Sequence, residues 1–317
     1  MNNKLNLFTI LLLISAIISG CGGERQTNDD TIIRFGTLPV MQTLPLYVAE
    51  SEGFFADLGL AVELSVFQNA GDKDIAMLSG SIDGQFADLF TPAVIENNGL
   101  DLTIVASGYN TSYDRRMFAV LCKPGGEYTQ ALDLADIPIA LSSNTVIHNV
   151  TETLLRKNGL KPEQIKYIES KNIGIRMQML MSGQVEAATL PEPLVTAAMA
   201  GGATVIVDDY GYELSQTVLL FNADYLEKHP ENVKKFLQAI EKAGQYINNN
   251  PDLVRAVMTA KTRLPEPLQA NYPIPKFPPL TIPSESEITS AVDWLKVQGV
   301  VTTELNYKDL VNGEYLP

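Results

Sequence analysis

Two breaks, at Pro124-Gly125-Gly126 and at Asp208-Asp209-Tyr210-Gly211, interrupt an otherwise steady alternation of strand and helix, and this most narrows the folds open to the chain. Before the first break, residues 32–36 read as a buried strand. Residues 61–67 set Val62, Leu64 and Val66 against Glu63 and Ser65, the period of a half-buried strand. Further strands are expected at 84–89, 102–107 and 117–121. Helices are expected from Thr43 to Ser51, with Thr43 as cap and Pro45 in the first turn, then at 72–78 and 92–97. After the break the alternation starts afresh. Strands at 137–141, 165–169, 185–189 and 203–207 are separated by helices at 144–157, 175–181 and 193–199. A last strand at 217–221 leads into helices at 230–248, 251–260 and 285–298. Seven prolines between 265 and 283 should wrap that segment over a surface. No fixed-period repeat is read.

Alternation of this kind argues for α/β architecture, with each sheet mainly parallel and flanked by helices. The two breaks suggest one lobe built from both chain ends, residues 31–122 with 213–317, and a second lobe, 123–212, inserted between them. The chain crosses near Leu121-Cys122-Lys123 and again between Gly211 and Thr217, forming a two-crossover hinge. Ligands of open α/β sheets sit outside the carboxyl ends of the strands, so two facing lobes make a cleft.

The N-terminus reads as an export signal. Lys4 precedes a mostly apolar run, residues 7–18, which is short of the roughly 20 residues that a spanning helix needs. Ile18-Ser19-Gly20-Cys21 follows and resembles the bacterial lipoprotein box. Residues 1–20 are then a signal peptide, Cys21 takes the lipid, and the polar stretch 21–30 is a tether. The second cysteine, Cys122, lies in an apolar run and is expected to be a buried thiol. A net charge of −14 disfavours nucleic-acid partners.

Several stretches carry a family resemblance. They are Phe35-Gly36-Thr37-Leu38-Pro39, Pro45-Leu46-Tyr47-Val48-Ala49-Glu50 with Gly53-Phe54-Phe55, and Met77-Leu78-Ser79-Gly80-Ser81-Ile82-Asp83-Gly84. In the second lobe, Leu180-Met181-Ser182-Gly183-Gln184-Val185-Glu186-Ala187-Ala188 precedes Pro191-Glu192-Pro193, and a long helix follows His229-Pro230-Glu231. In order and spacing they resemble the solute-binding proteins of sulfonate, nitrate and thiamine-precursor importers, a group related to the yeast thiamine-pyrimidine synthesis protein. The resemblance implies a two-lobed periplasmic-binding-protein fold (type II), no catalysis and no cofactor. It also implies an ABC permease with its ATPase as partners, a monomer, and a membrane reached only through the lipid. A ligand-sensing subunit docking to a receptor would use the same cleft. The motifs Gly-x-Ser-x-Gly, His-Glu-x-x-His and Gly-Lys-Ser/Thr do not occur.

Loops at strand ends supply the expected binding residues: Gln42, Thr43, Tyr47, Asn69, Asp88, Tyr109, Asn110, Ser143, Asn144, Thr145 and Glu192. Helix starts at Thr43, Ser143 and Pro193 offer free N–H groups. Thr43 and Ser143 equally suit capping, and Tyr47 equally suits the core. Arg115 and Arg116 read as a solvated pair. Two acids, two tyrosines and several amides point to a neutral or cationic heteroaromatic solute such as a thiamine-precursor pyrimidine. The alternative is a sulfonate- or nitrate-type anion held by backbone N–H groups.

Overall fold

The computed structural model describes residues 32–110, 115–212, 214 and 216–317; the signal, the tether and Cys21 lie outside them. The chain opens with β1 (Ile32–Thr37), a 3-10 turn (Met41–Thr43), α1 (Leu44–Ser51), α2 (Phe54–Asp57) and β2 (Ala61–Val66). Next come α3 (Ala70–Leu78), β3 (Gly84–Asp88), α4 (Thr91–Asn97) and β4 (Leu102–Asn110). The second lobe holds β5 (Phe118–Cys122), β6 (Pro138–Leu141), α5 (Val146–Lys157), β7 (Lys166–Glu169), α6 (Ile173–Met181), β8 (Ala187–Pro191), α7 (Leu194–Ala200) and β9 (Thr204–Asp208). The chain then returns through β10 (Gln216–Asn222) to α8 (Ala223–Lys228), α9 (Pro230–Asn249), α10 (Arg255–Lys261), α11 (Glu285–Val297) and α12 (Tyr307–Leu310).

These strands form two five-stranded sheets, ordered β2-β1-β3-β10-β4 and β7-β6-β8-β5-β9. β1 pairs in parallel with β2 and β3, whereas β10 is antiparallel to β3 and β4. The second sheet repeats this, with β5 antiparallel to β8 and β9. Four strands of each sheet therefore share one direction, as the alternation predicts, and one runs against them. The reversed strand is in each case the first to enter after a crossover. A chain leaving one sheet at its carboxyl edge meets the other sheet at that same edge and must run inward against its neighbours.

The pairing corrects one boundary. The sequence reading put residues 118–122 at the end of the first lobe; they are the fourth strand of the second sheet. The first crossover therefore lies between Asn110 and Phe118, and Pro124-Gly125-Gly126 is a turn inside the second lobe. Every residue of β5 is buried, so its pattern carried no period to show which sheet it joins. Cys122 is buried and free, as the apolar run predicted.

The first lobe is held by aromatic packing behind its sheet. Phe35 of β1 lies 5.5 Å from Phe221 of β10 and 4.8 Å from Phe236 of α9, centroid to centroid. α9 buries Val233, Phe236, Leu237, Ile240, Ala243, Gly244 and Ile247, the stripe of a core-facing amphipathic helix, against α1 and α2. Each such large side chain contributes roughly 1.5–3 kcal/mol on burial. The proline-rich stretch does wrap the surface. Phe277 meets Tyr109 edge to face at 5.5 Å, and Asn248 holds the Phe277 backbone through both N–H and C=O. α8 and α12 were not expected from the sequence.

The matching strand orders expose a duplication that the search for a fixed period passed over. β1, β2, β3, β10 and β4 occupy the places in one sheet that β6, β7, β8, β5 and β9 occupy in the other. α3 and α6 are likewise equivalent, each joining an edge strand to the central strand.

Candidate functional site

A cavity of about 90 Å³ lies between the lobes at the carboxyl ends of the strands. Leu38, Val40 and Phe86 from the first lobe and Phe118, Ile147 and Ile173 from the second give it apolar walls. Gln42, Lys73 and Asp88 enter from the first lobe; Ser142, Thr145, Lys171 and Arg176 enter from the second.

Asp88 ends β3 and faces the opposite lobe. Its Oδ1 accepts the N–H groups of Phe90 (3.0 Å) and Thr91 (2.9 Å) and so caps α4. Its Oδ2 accepts the N–H of Val146 at 3.0 Å, the first residue of α5 in the other lobe. A carboxylate at a helix N-terminus is favoured by the helix dipole, so one side chain caps a helix in its own lobe and fastens the start of a helix in the other.

Lys73 and Arg176 are fully sequestered, at 1% and 0% exposure. Lys73 projects from α3, and its Nζ donates to Asp74 Oδ1 at 2.9 Å. Its stem crosses Gly36 of β1, where an added Cβ would stand 3.2 Å from Lys73 Cγ and 2.5 Å from Ile82 Cδ1. Burial raises the pKa of Asp74. On α6, the Arg176 Nε and Nη2 donate to the Ser170 carbonyl at 3.0 and 2.6 Å, and Nη1 donates to the Thr189 carbonyl at 3.1 Å. Among the described residues, no carboxylate forms an ion pair with it. Burial pushes the guanidinium pKa down to about 10, which still leaves it charged at neutral pH. Gln42 brings a buried Oε1 that has no hydrogen-bond partner among the described residues.

Of the residues singled out from sequence, Gln42, Asp88 and Thr145 line this cavity. The others serve nearby structure. The Thr43 hydroxyl donates to the carbonyls of Leu38 and Val40, both at 2.8 Å, and closes the turn before α1. Tyr47 is fully buried, with its hydroxyl on the Leu38 carbonyl at 3.2 Å. Asn69 caps α3 by accepting the Asp72 N–H. Tyr109 packs against Phe277, and the Asn110 backbone pairs with Gln216. The Ser143 N–H and hydroxyl both donate to Glu169, and the Asn144 N–H donates to His148 Nδ1. Asn144 is left-handed, with φ 60°, a turn conformation that asparagine tolerates well.

Glu192 faces a different recess. It is 6% exposed and accepts from Arg116 Nε (3.0 Å) and Nη2 (2.8 Å), from Thr196, and from the Tyr272 hydroxyl at 3.2 Å. Arg116 also reaches Asp208 at 3.5 Å, so it is a paired residue of the crossover and not the solvated one expected. Burial, reinforced by Glu192, holds the Tyr272 phenol well above its usual pKa. At the return crossover, Asp209 is fully buried. Its Oδ1 accepts the N–H groups of Met117 and Phe118 at 2.8 and 3.0 Å, joining the two crossovers. Burial pushes its pKa up to about 6.

Sequence reasoning missed Lys73, Lys171 and Arg176. The acid-rich cleft it expected is not what the side chains form: among the described residues, one acid and three cations line the cavity.

The chain is 27% identical over 230 residues to the 4-amino-5-hydroxymethyl-2-methylpyrimidine phosphate synthase THI11 of Saccharomyces cerevisiae. That match covers 67% of this chain and 65% of the relative, so less than two thirds of the relative's length is represented. The formylaminopyrimidine-binding protein of Halalkalibacterium halodurans is 24% identical over 282 residues, covering 84% of this chain and 81% of its own. Among solved structures, the alkanesulfonate-binding protein SsuA of Xanthomonas axonopodis pv. citri bound to MOPS superposes with a TM-score of 0.75. At 19% identity, over 89% of this chain and 98% of that one, this shows a shared fold, the two-lobed periplasmic-binding architecture. Over residues 40–254 the sequence matches the family model described as NMT1/THI5 like, and the chain belongs to that family.

Proposed function

We propose that this protein is the extracytoplasmic solute-binding subunit of an ABC importer, tethered by a lipid on Cys21, and that it closes its lobes around one small molecule and presents it to a permease. The observation that carries the reading is the cavity itself. Both lobes line it, it sits at the carboxyl edges of both sheets, and two crossovers join the lobes. Hinge closure around a ligand is an established way for such a pair of lobes to work.

The reading is of capture without turnover, although one relative is named as a synthase. Among the described residues, Asp88 is the one carboxylate lining the cavity; both its oxygens are engaged by backbone N–H groups, and Lys73 is held by Asp74.

The test pairs uptake with binding. The purified chain should show a raised melting temperature with its solute, because a ligand bound only by the folded state stabilises it by mass action. A strain lacking the gene should lose uptake of that solute. Unimpaired uptake with a lost transcriptional response would point instead to a sensor. Consumption of the solute by the purified chain would point to an enzyme.

A further inference from the structure

The lobes meet over one buried imidazole. His148 of α5 is 0% exposed, and the first lobe supplies part of its cover: the Trp294 ring of α11 meets it edge to face at 5.0 Å, centroid to centroid. Phe90, just before α4, packs on that indole at 5.1 Å. Tyr167 of β7 adds a ring from the second lobe, 4.7 Å from the imidazole. The two ring nitrogens have different surroundings. Nδ1 accepts the Asn144 N–H at 3.3 Å. Nε2 is buried, has no hydrogen-bond partner among the described residues, and stands 3.5 Å from Glu152 Oε1. With Nδ1 an acceptor, the ring is neutral and carries its proton on Nε2. The charged and titratable groups around it are Glu152 and Arg156 on α5, Tyr167 on β7, Glu169 through its bonds to Ser143, and Asp88 on the Val146 N–H. From α11 come Trp294 and Gln298, neither of them charged.

We propose that His148 is a proton-operated latch on lobe closure: the closed form keeps the imidazole neutral, and protonating it drives the lobes apart. Three features of the closed form point the same way. Trp294 seals the ring from water, and burial disfavours the charged form of an imidazole. A second proton would have to sit on Nδ1, where the Asn144 N–H already points, so two buried donors would face each other with no acceptor between them. Closure also spends Glu152 Oε2 on two donors from the other lobe, the indole N–H at 2.9 Å and the Gln298 amide at 3.3 Å. Burial raises the Glu152 pKa, but the donors around its carboxyl outweigh burial and hold it below the ordinary value, so it is ionised. Those donors draw on the same charge that would offset an imidazolium. With the lobes apart, water reaches Nδ1 and Glu152 is free to pair with a charged ring. Displacing Asn144 also disturbs the turn into α5, where Asp88 of the other lobe holds the Val146 N–H. Histidine is the side chain that ordinarily changes charge between about pH 5 and pH 8. By linkage, a proton bound preferentially by the open form weakens closure as pH falls. The latch goes beyond solute capture and does not depend on which solute the cavity takes.

The test reads lobe opening in the full chain with no solute added, so its failure leaves the solute-binding reading untouched. Acrylamide quenching of Trp294, taken from emission lifetimes, and the radius of gyration from small-angle scattering are followed from about pH 8 to about pH 5. On acidification the quenching constant should rise by about twofold or more, and the radius of gyration should rise with it. His148→Gln, whose amide both donates and accepts but takes no charge, should hold both readings flat. Glu152→Gln keeps an acceptor for the indole and removes the carboxylate that favours the imidazolium, so its transition should move down by roughly one pH unit. That second variant carries the test where His148→Gln fails to fold. Flat readings in the unaltered chain overturn the latch. The same transition in His148→Gln overturns it and assigns the effect to another group, such as Asp209. An altered lifetime with an unchanged radius of gyration is local quenching by the charged ring and overturns it too. So does a transition that Glu152→Gln leaves in place.

Discussion

Trp294 of α11 donates its indole N–H to Glu152 of α5 at 2.9 Å, and the bond spans the two lobes. The Gln298 amide reaches the same carboxylate oxygen at 3.3 Å, and the ring of His148 lies edge-on to the indole at 5.0 Å. The chain has no other tryptophan. Its emission should therefore report lobe closure directly. Glu152→Ala removes two interlobe hydrogen bonds, each of which contributes about 1 kcal/mol net. Solute affinity should fall by about five- to thirtyfold, with the emission change on binding reduced; unchanged emission on saturation in the unaltered chain would contradict this account of Trp294.

Asp88→Ala removes the cap of α4 and the anchor of α5 together. Loss of a cap costs about 1 kcal/mol, so the melting temperature should drop by a few degrees. Affinity should drop further, because the bond to Val146 exists only with the lobes together. Asp88→Asn keeps one acceptor and should sit between the two. Calorimetry on the three proteins checks the order.

Asp209 makes stability depend on pH in a defined direction. Its carboxyl is raised from 3.8 in the unfolded chain to about 6 in the fold. Between those values the folded state holds a proton that the unfolded state has released, so this group's contribution falls as pH rises from about 4 to 6 and is flat above. Asp209→Asn lacks the effect. Relative to that variant, the unaltered chain should lose up to roughly 3 kcal/mol between pH 4 and pH 7. Urea unfolding of both across that range measures it, and parallel curves would remove Asp209 as the titrating group.

Glu192→Ala should act on stability and not on recognition. It strips Arg116, Tyr272 and Thr196 of a shared, buried acceptor. Removing one partner of a buried pair typically costs about 3 kcal/mol or more, so the melting temperature should fall clearly while the solute affinity of the folded protein stays within about twofold.

Most of the architecture was readable because strand and helix periods differ and the turns are punctuated by glycine and proline. β2 shows this in its first half, with half-buried Val62 and Leu64 alternating against exposed Glu63, whereas at its end Val66 is exposed and Ser65 half-buried, against the expected alternation. β5 failed because a fully buried strand has no period and its partners lie far away in sequence. Asp88 was found because an acid at a strand end is conspicuous. Lys73 and Arg176 were not, because a basic residue on a helix normally reads as a solvated face. The signal that reveals them is their shared place in a duplicated pattern, which is visible once the two lobes are aligned on Asn69 and Asn172. Glu192 was expected in the binding cleft, and sequence alone could not show that Arg116 and Tyr272, far apart along the chain, converge on it outside the cavity.

Blocking the cavity tests the central claim most directly. Ala70 lines it from the first turn of α3, and Ala70→Trp should fill it while leaving the strand sequences unaltered. Calorimetric titration with the solute that most stabilises the unaltered chain should show one site per chain. In Ala70→Trp that heat should vanish while the solute-free melting temperature stays within a few degrees. Equal affinity in the blocked protein would place the solute elsewhere and contradict the account.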